Sequence, residues 1–313
     1  MHTPDQFFEI KTTPLPGSVA YDNQRVIKVK GHFDHCSVGV LLAKKFPSLK
    51  IDYWLEAIAE NRLLRRGQMI TLSEKVRAGD VLTHIIPETI EPSVNNRIKT
   101  IHEDDCIIAY DKPAPLPMHP CGRYNKNTLT SMLNYVWPER DFYLVHRLDS
   151  NTTGVLLLAK SKDCAQQLHI QFKENRISKT YLARVRGIPK EVDFDCKLDI
   201  SRTPTQYGKR TVEKKGLSAH TKFKLLQVYH DNTSLLQVKP ITGRTNQIRI
   251  HLLALKLPII GDTVYPSQKQ QDEYHIPSCE SLCLNAHSIS FLHPGTNKRL
   301  DIASPSPDWA PQQ

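Results

Sequence analysis

The stretch Phe142–Lys160, FYLVHRLDSNTTGVLLLAK, constrains this chain more than any other. An apolar run reaches His146, a polar segment follows through Arg147, Asp149, Ser150, Asn151 and Gly154, and a second apolar run ends at Ala159. Short apolar runs bounded by turn residues predict two strands joined by a loop. Asp149 then sits on a connection held by rigid elements, a place where reactive groups are common. Spacing alone favours a turn ion pair between Arg147 and Asp149, since a single Arg-x-Asp carries little information.

The frame around this stretch is a basic, folded protein. With 313 residues the chain admits one large or two modest domains with ample core. Forty-two Lys and Arg against 32 Asp and Glu give a net charge of +10, which points to polyanionic partners, nucleic acid ahead of membrane. No apolar run approaches a membrane span, and the opening MHTPDQFFEIK lacks the basic and apolar regions of a signal peptide. A cytoplasmic protein without membrane contact is therefore expected. The seven Cys contain no Cys-x-x-Cys, which fits reduced thiols.

Residues 1–35 show little periodicity and are expected to be an extension packed on something else. In an accessory module over 36–95, Val38, Leu41, Leu42 and Phe46 share one helical face, and Trp54, Leu55, Ile58 and Ala59 predict a second helix. Arg62, Arg65 and Arg66 follow, readable either as a solvated face or as phosphate contacts. The polar ETIEPSVNNRIK (Glu88–Lys99) reads as a linker into a second domain over 96–313.

Within that domain, Cys106–Tyr110 predicts a strand leading into Asp111-Lys112-Pro113, and Leu116–Asn127 reads as a substrate-side loop. Ser161 can cap a helix carrying Ala165, Leu168, His169 and Phe172 on one face. Lys179–Gly187 alternates as a strand that includes Tyr181. Lys209, Arg210, Lys214 and Lys215 mark a basic loop, either a solvated turn or a phosphate contact. Leu235–Pro240 is a strand, after which Ile248, His251, Leu252 and Leu255 share a helical face with Arg249 beside it. His275, Cys279, Cys283 and His287 recur every four residues, but Pro277 interrupts any helix that would align them, so no metal site is expected.

His146-Arg147-Leu148-Asp149 with Thr153-Gly154 and the following aliphatic run resembles the catalytic motif of the RluA-type pseudouridine synthases. Thr153 stands where that family prefers Ser. Thr242-Gly243-Arg244-x-x-Gln247-Ile248-Arg249-Ile250-His251 is similar to its third motif, with Asn246 where His is common. The acidic pair before Cys106, the Lys112-Pro113 step and the closing Leu284–Pro294 segment agree with it too. Residues 36–81 resemble, in degenerate form, the RNA-binding module of ribosomal small-subunit protein four.

The resemblance implies an α+β fold: a mixed, mostly antiparallel sheet with flanking helices, plus a small α/β N-terminal domain. It implies isomerisation of uridine to pseudouridine in ribosomal or transfer RNA, with no cofactor. Asp149 takes the catalytic position, Tyr181 the position against the uracil, and Arg249 that of the cation paired with Asp149. Arg147, His146 and Lys112 are expected beside the nucleotide, and Arg62, Arg65, Arg66 and Arg244 on the RNA backbone. A monomer is expected. Two alternatives are a non-catalytic RNA-binding or RNA-chaperone protein on the same scaffold, and a glycosidase-like hydrolase, which needs a second carboxylate.

Overall fold

The computed structural model describes residues 9–10, 12–205, 209–266 and 281–310. The chain forms two compact units, the smaller made of Pro14–Ser93 with Gly122–Lys126 and the larger of the remainder. The first strand, β1 (Glu9–Ile10), belongs to the larger unit.

The smaller unit holds β2 (Tyr21–Lys28), α1 (Val38–Lys45), α2 (Ile51–Ala59), β3 (Leu63–Arg65), β4 (Gln68–Met69) and β5 (Val81–Thr89). Its strands pair antiparallel in the order β2-β5-β3-β4. Ser37 caps α1 by accepting from the Val40 N–H at 3.3 Å. Val38, Leu41, Leu42 and Trp54 from the helices close on Ile27, Leu63 and Leu82 from the sheet.

Two expectations are corrected here. Residues 1–35 are not only an extension, because β2 pairs along β5 and buries Ile27. Its short run of Val26, Ile27 and Val29 lies among charges and acquires a partner only sixty residues downstream. The expected substrate-side loop Leu116–Asn127 is divided between the units: Gly122–Lys126 belongs to the smaller one, while Leu116–Cys121 and Asn127 stay with the larger, where the Arg147 charge acts on His119. The buried Glu91 carboxylate accepts from the backbone N–H of Asn125 at 2.9 Å and of Lys126 at 2.8 Å, and from the Tyr21 hydroxyl.

The larger unit continues with β6 (Ile98–Glu103), β7 (Ile107–Lys112), α3 (Leu129–Val136), β8 (Tyr143–Leu144), β9 (Thr153–Ala159) and α4 (Lys162–Lys173). Then come β10 (Ser178–Arg186), β11 (Asp193–Cys196), β12 (Thr221–Val228), β13 (Thr233–Pro240), α5 (Gln247–Ala254), β14 (Leu284–Leu292) and β15 (Arg299–Ala303). The sheet runs β1-β6-β7-β9-β14-β10-β13-β12-β11, with β8 added on β9 and β15 on β14. Every pairing is antiparallel except that of β9 with β14, so the fold is the mixed, mostly antiparallel sheet expected.

That parallel contact explains a glycine of the central motif. Gly154 has φ +103°, and a Cβ there would lie 2.3 Å from the Ala286 carbonyl oxygen. Only glycine allows the two backbones to approach so closely. Next to it the Asn285 amide donates to Thr153 Oγ1 at 2.9 Å, which fixes where the loop before β9 ends.

Candidate active site

The loop Val145–Thr152 precedes β9 and carries Asp149. Val145 and Leu148 are buried and anchor it from within, while Arg147 between them is exposed. The Leu116 N–H donates to the Ser150 carbonyl at 2.9 Å.

Lys112 completes this support. Its side chain is fully buried, and Nζ donates to the carbonyls of Pro113, Leu116 and Ser150 at 2.9, 3.0 and 3.0 Å. Three acceptors match the three donors of an ammonium. Burial pulls its pKa down to about 7, against the raising influence of the Asp149 and Asp111 charges. The expectation of Lys112 as a substrate contact is corrected: its amine is spent on backbone carbonyls beneath the loop, because the end of β7 turns it into the core.

Arg249 lies across a cleft of about 260 Å³ from the loop's approach and points at Asp149. Its Nη1 donates to Asp149 Oδ2 at 3.2 Å. Its other edge meets Asp262 in a two-pronged pair, Nε to Oδ2 at 2.8 Å and Nη2 to Oδ1 at 2.7 Å. Burial works against the guanidinium charge, but Asp262 and then Asp149 outweigh it, so its pKa is raised. Rather than beside an apolar face, Arg249 sits in a helix buried on all sides from Gln247 to Leu252. A buried cation is tolerable there because both carboxylates satisfy it.

Tyr181 enters from β10, where the pairing with β14 shifts register between Thr180 and Leu182. Irregularities of this kind re-aim side chains near functional sites. The ring packs against the core formed by β10, β13 and α5 and lines the cleft. Burial first, and the Asp149 charge second, push its phenol well above the usual range.

His146 also lines the cleft, stacked on Phe172 at 5.2 Å between ring centroids. Its Nε2 accepts from the Leu157 N–H at 2.9 Å, a bond only the neutral imidazole can make, and burial followed by the Lys179 charge lowers its pKa to about 3. Arg244 holds the cleft's other wall, its Nε donating to the Ser218 carbonyl at 2.9 Å. The structure thus brings Asp149, Tyr181, Arg249, Arg147, His146 and Arg244 to one cleft.

In the smaller unit Arg62 pairs with Glu60 and Glu56, and Arg65 with Glu74 and Asp80. Arg66 is exposed and makes no ion pair among the described residues. Two of the three arginines are therefore already engaged by acids of the same unit.

Two site residues escaped sequence reading. Asp262 follows the apolar Leu257–Ile260 as an isolated acid, which was its only signal. Lys179 shares the strand face of Tyr181 by simple alternation. Of the residues weighed for zinc, His275 and Cys279 lie outside the described residues. Asp104, Cys106 and His293 do form a compact group of ligand-type side chains. However, His293 Nδ1 accepts from the N–H groups of Gly295 and Thr296, which leaves the proton on Nε2 to be donated to Asp104 at 3.1 Å. His293 thus has no lone pair left for a metal, and the group reads as a clasp between two turns.

Residues 106–254 match the family model described as RNA pseudouridylate synthase. Ribosomal large subunit pseudouridine synthase C of Buchnera aphidicola is 31% identical over 281 residues, 84% of this chain and 88% of that protein. The chain belongs to the RNA pseudouridylate synthase family. Pseudouridylate synthase RPUSD2 of Mus musculus is 31% identical over 239 residues, 76% of this chain but only 43% of that longer protein. The chain thus spans less than half the length of that relative. Among solved structures, Human RNA Pseudouridylate Synthase Domain Containing 1 superposes with a TM-score of 0.56 at 25% identity, over 70% of this chain and 87% of that one. The family match begins at Cys106, so it includes Gly122–Lys126 of the smaller unit but none of Pro14–Ser93.

Proposed function

We propose that this pseudouridine synthase family member isomerises uridines within RNA, with Asp149 acting directly on the nucleotide. The bond from uracil N1 to the sugar C1′ breaks, the base turns in the cleft, and a bond from C5 to C1′ forms. The C5 hydrogen leaves as a proton and N1 takes one up, so nothing is oxidised or reduced and no cofactor is called for.

The observation that carries this reading is the Asp149 carboxylate, held 3.2 Å from Arg249 in a cleft also lined by Tyr181. The Arg249 N–H donates to that carboxylate and holds it in place. Tyr181 supplies a π-face for a base that has left its stack, worth about 1–3 kcal/mol in single-strand binders. Arg147, exposed at the rim, is suited to prop the vacated stack. Among the described lining residues Asp149 is the only carboxylate, since Asp262 lies behind Arg249, and this speaks against the two-carboxylate chemistry of a hydrolase.

The RNA is ribosomal or transfer RNA in this proposal, met by a cytoplasmic monomer. The smaller unit adds backbone contact chiefly through Arg66, the arginine left without an acidic partner. Transcripts of large-subunit ribosomal RNA and transfer RNA, tritiated at uracil C5, test the reaction, because each turnover releases the label. Asp149→Asn should bind RNA as wild type does and release no tritium. Release at a near wild-type rate would require another carboxylate.

A further inference from the structure

Lys179 is the one partly buried cation of the cleft without a hydrogen-bonding or acidic partner among the described residues. Four cationic side chains line the cleft: Arg147, Lys179, Arg244 and Arg249. Arg147 and Arg244 are exposed and keep their water. Arg249 is buried but carries two carboxylates. Lys179 is partly buried, and among the described residues its ammonium has no hydrogen bond and no ion pair. Burial alone lowers its pKa, with no acid nearby to offset the loss of water. A partly desolvated charge without a partner costs stability, and no contact within the fold accounts for it.

Its position narrows what would satisfy it. Lys179 and Tyr181 are alternate residues of β10 and so emerge on one face, toward the cleft. The cleft's carboxylate, Asp149, is engaged by Arg249, so among the described lining residues no acid is left to pair with Lys179. Nζ lies beside the backbone of Gly243, 3.7 Å from where a Cβ would stand there. A bulky residue at 243 would crowd the ammonium, and glycine keeps the approach to it open.

We infer that Lys179 is a phosphate-binding residue, pairing with a backbone phosphate that flanks the nucleotide whose base lies under Tyr181. The inference rests on the RNA reading of this cleft and assigns to it an anion subsite separate from the Asp149–Arg249 pair. A phosphate gives the ammonium the anionic oxygens it lacks, and an RNA substrate necessarily brings one on each side of the target nucleotide. Lys179 is then a positioning residue: it fixes the nucleotide's register without touching the reacting atoms.

The test combines three readouts on the full-length chain with the same large-subunit ribosomal and transfer RNA transcripts. In filter binding, Lys179→Gln should weaken Kd about tenfold, as expected for one charge-assisted hydrogen bond. It should also flatten the dependence of log K on log salt by about 0.7, the value for one single-strand phosphate contact. Lys179→Arg should restore most of both. In single-turnover tritium release the loss should fall on the half-saturating concentration rather than on the saturating rate. Thermal unfolding separates this from a structural role: Lys179→Met should keep or raise the wild-type Tm, because it removes an unsatisfied charge. An unchanged salt slope in Lys179→Gln would overturn the inference, as would a lower Tm in Lys179→Met or a fall in saturating rate at unaltered Kd. Wild-type protein that binds these RNAs with a Lys179-dependent slope yet releases no tritium would instead count against the synthase reading.

Discussion

Arg249 grips Asp262 with two hydrogen bonds of 2.8 and 2.7 Å while reaching Asp149 with a third of 3.2 Å. Asp262 in turn accepts from the N–H groups of Val264 and Tyr265 at 3.0 and 2.9 Å, so its carboxylate is held by contacts other than Arg249 as well. The cation that faces the reactive carboxylate is thus oriented from behind by a second acid.

Asp262→Asn should therefore damage both stability and chemistry. It leaves a buried guanidinium with one charged partner instead of two, a loss of about 3 kcal/mol by analogy with broken buried pairs. Urea unfolding should show this as a lower midpoint, and tritium release should fall steeply. A variant of wild-type stability that has lost activity would mean that Asp262 acts on the substrate rather than on Arg249.

Lys112→Met keeps much of the side chain's bulk but removes three N–H donors from the carbonyls of Pro113, Leu116 and Ser150. Leaving the Pro113 and Leu116 carbonyls unpaired, while that of Ser150 keeps the Leu116 N–H, should cost about 2 kcal/mol and loosen the backbone next to Asp149. The expected result is a lower unfolding midpoint together with reduced turnover and nearly intact RNA binding. If RNA affinity were the main loss, Lys112 would have to touch substrate.

Gly154→Ala places a methyl group against the Ala286 backbone and asks alanine to hold φ +103°. Neither neighbour is a flexible side chain, so the β9–β14 contact must open. A cost of roughly 3 kcal/mol or more is expected, seen as a Tm drop of about 10 °C. A variant with wild-type Tm would show that the parallel pair contributes little.

The smaller unit should be acid-sensitive through His84. That ring is buried against Trp54 and hydrogen-bonded to the Tyr53 hydroxyl at 2.9 Å. Burial, then the charges of Arg62 and Arg25, lower its pKa from 6.5 to about 4. Between those values the unfolded chain binds a proton that the native ring does not. Stability is then full above pH 6.5 and is lost as pH falls toward 4, by up to about 3 kcal/mol. Urea midpoints at pH 7, 5.5 and 4.5 should fall in wild type and fall less in His84→Gln. Parallel acid limbs would assign the titration elsewhere.

Local pattern was enough to read much of this chain. The strand–loop–strand around Asp149, the Tyr181 strand, the α5 segment and the two helices of the smaller unit are all written in periodicities that span a few residues. The basic charge and the order of the motifs pointed to an RNA-modifying enzyme before any contact was known.

Sheet order and register decided the rest. Asp149 and Arg249 are one hundred residues apart and meet because β9, β14, β10 and β13 lie side by side, with α5 packed on β13. The acid that fixes Arg249, the burial of Lys112 and the need for glycine at 154 all follow from groups brought in across that sheet. β2 looked like part of a loose extension because its partner lies sixty residues on, and Arg62 and Arg65 looked free because their acids pack against them only in the fold. A sequence declares the charges and the periods, whereas which charge finds which partner depends on long-range pairing that no local window contains.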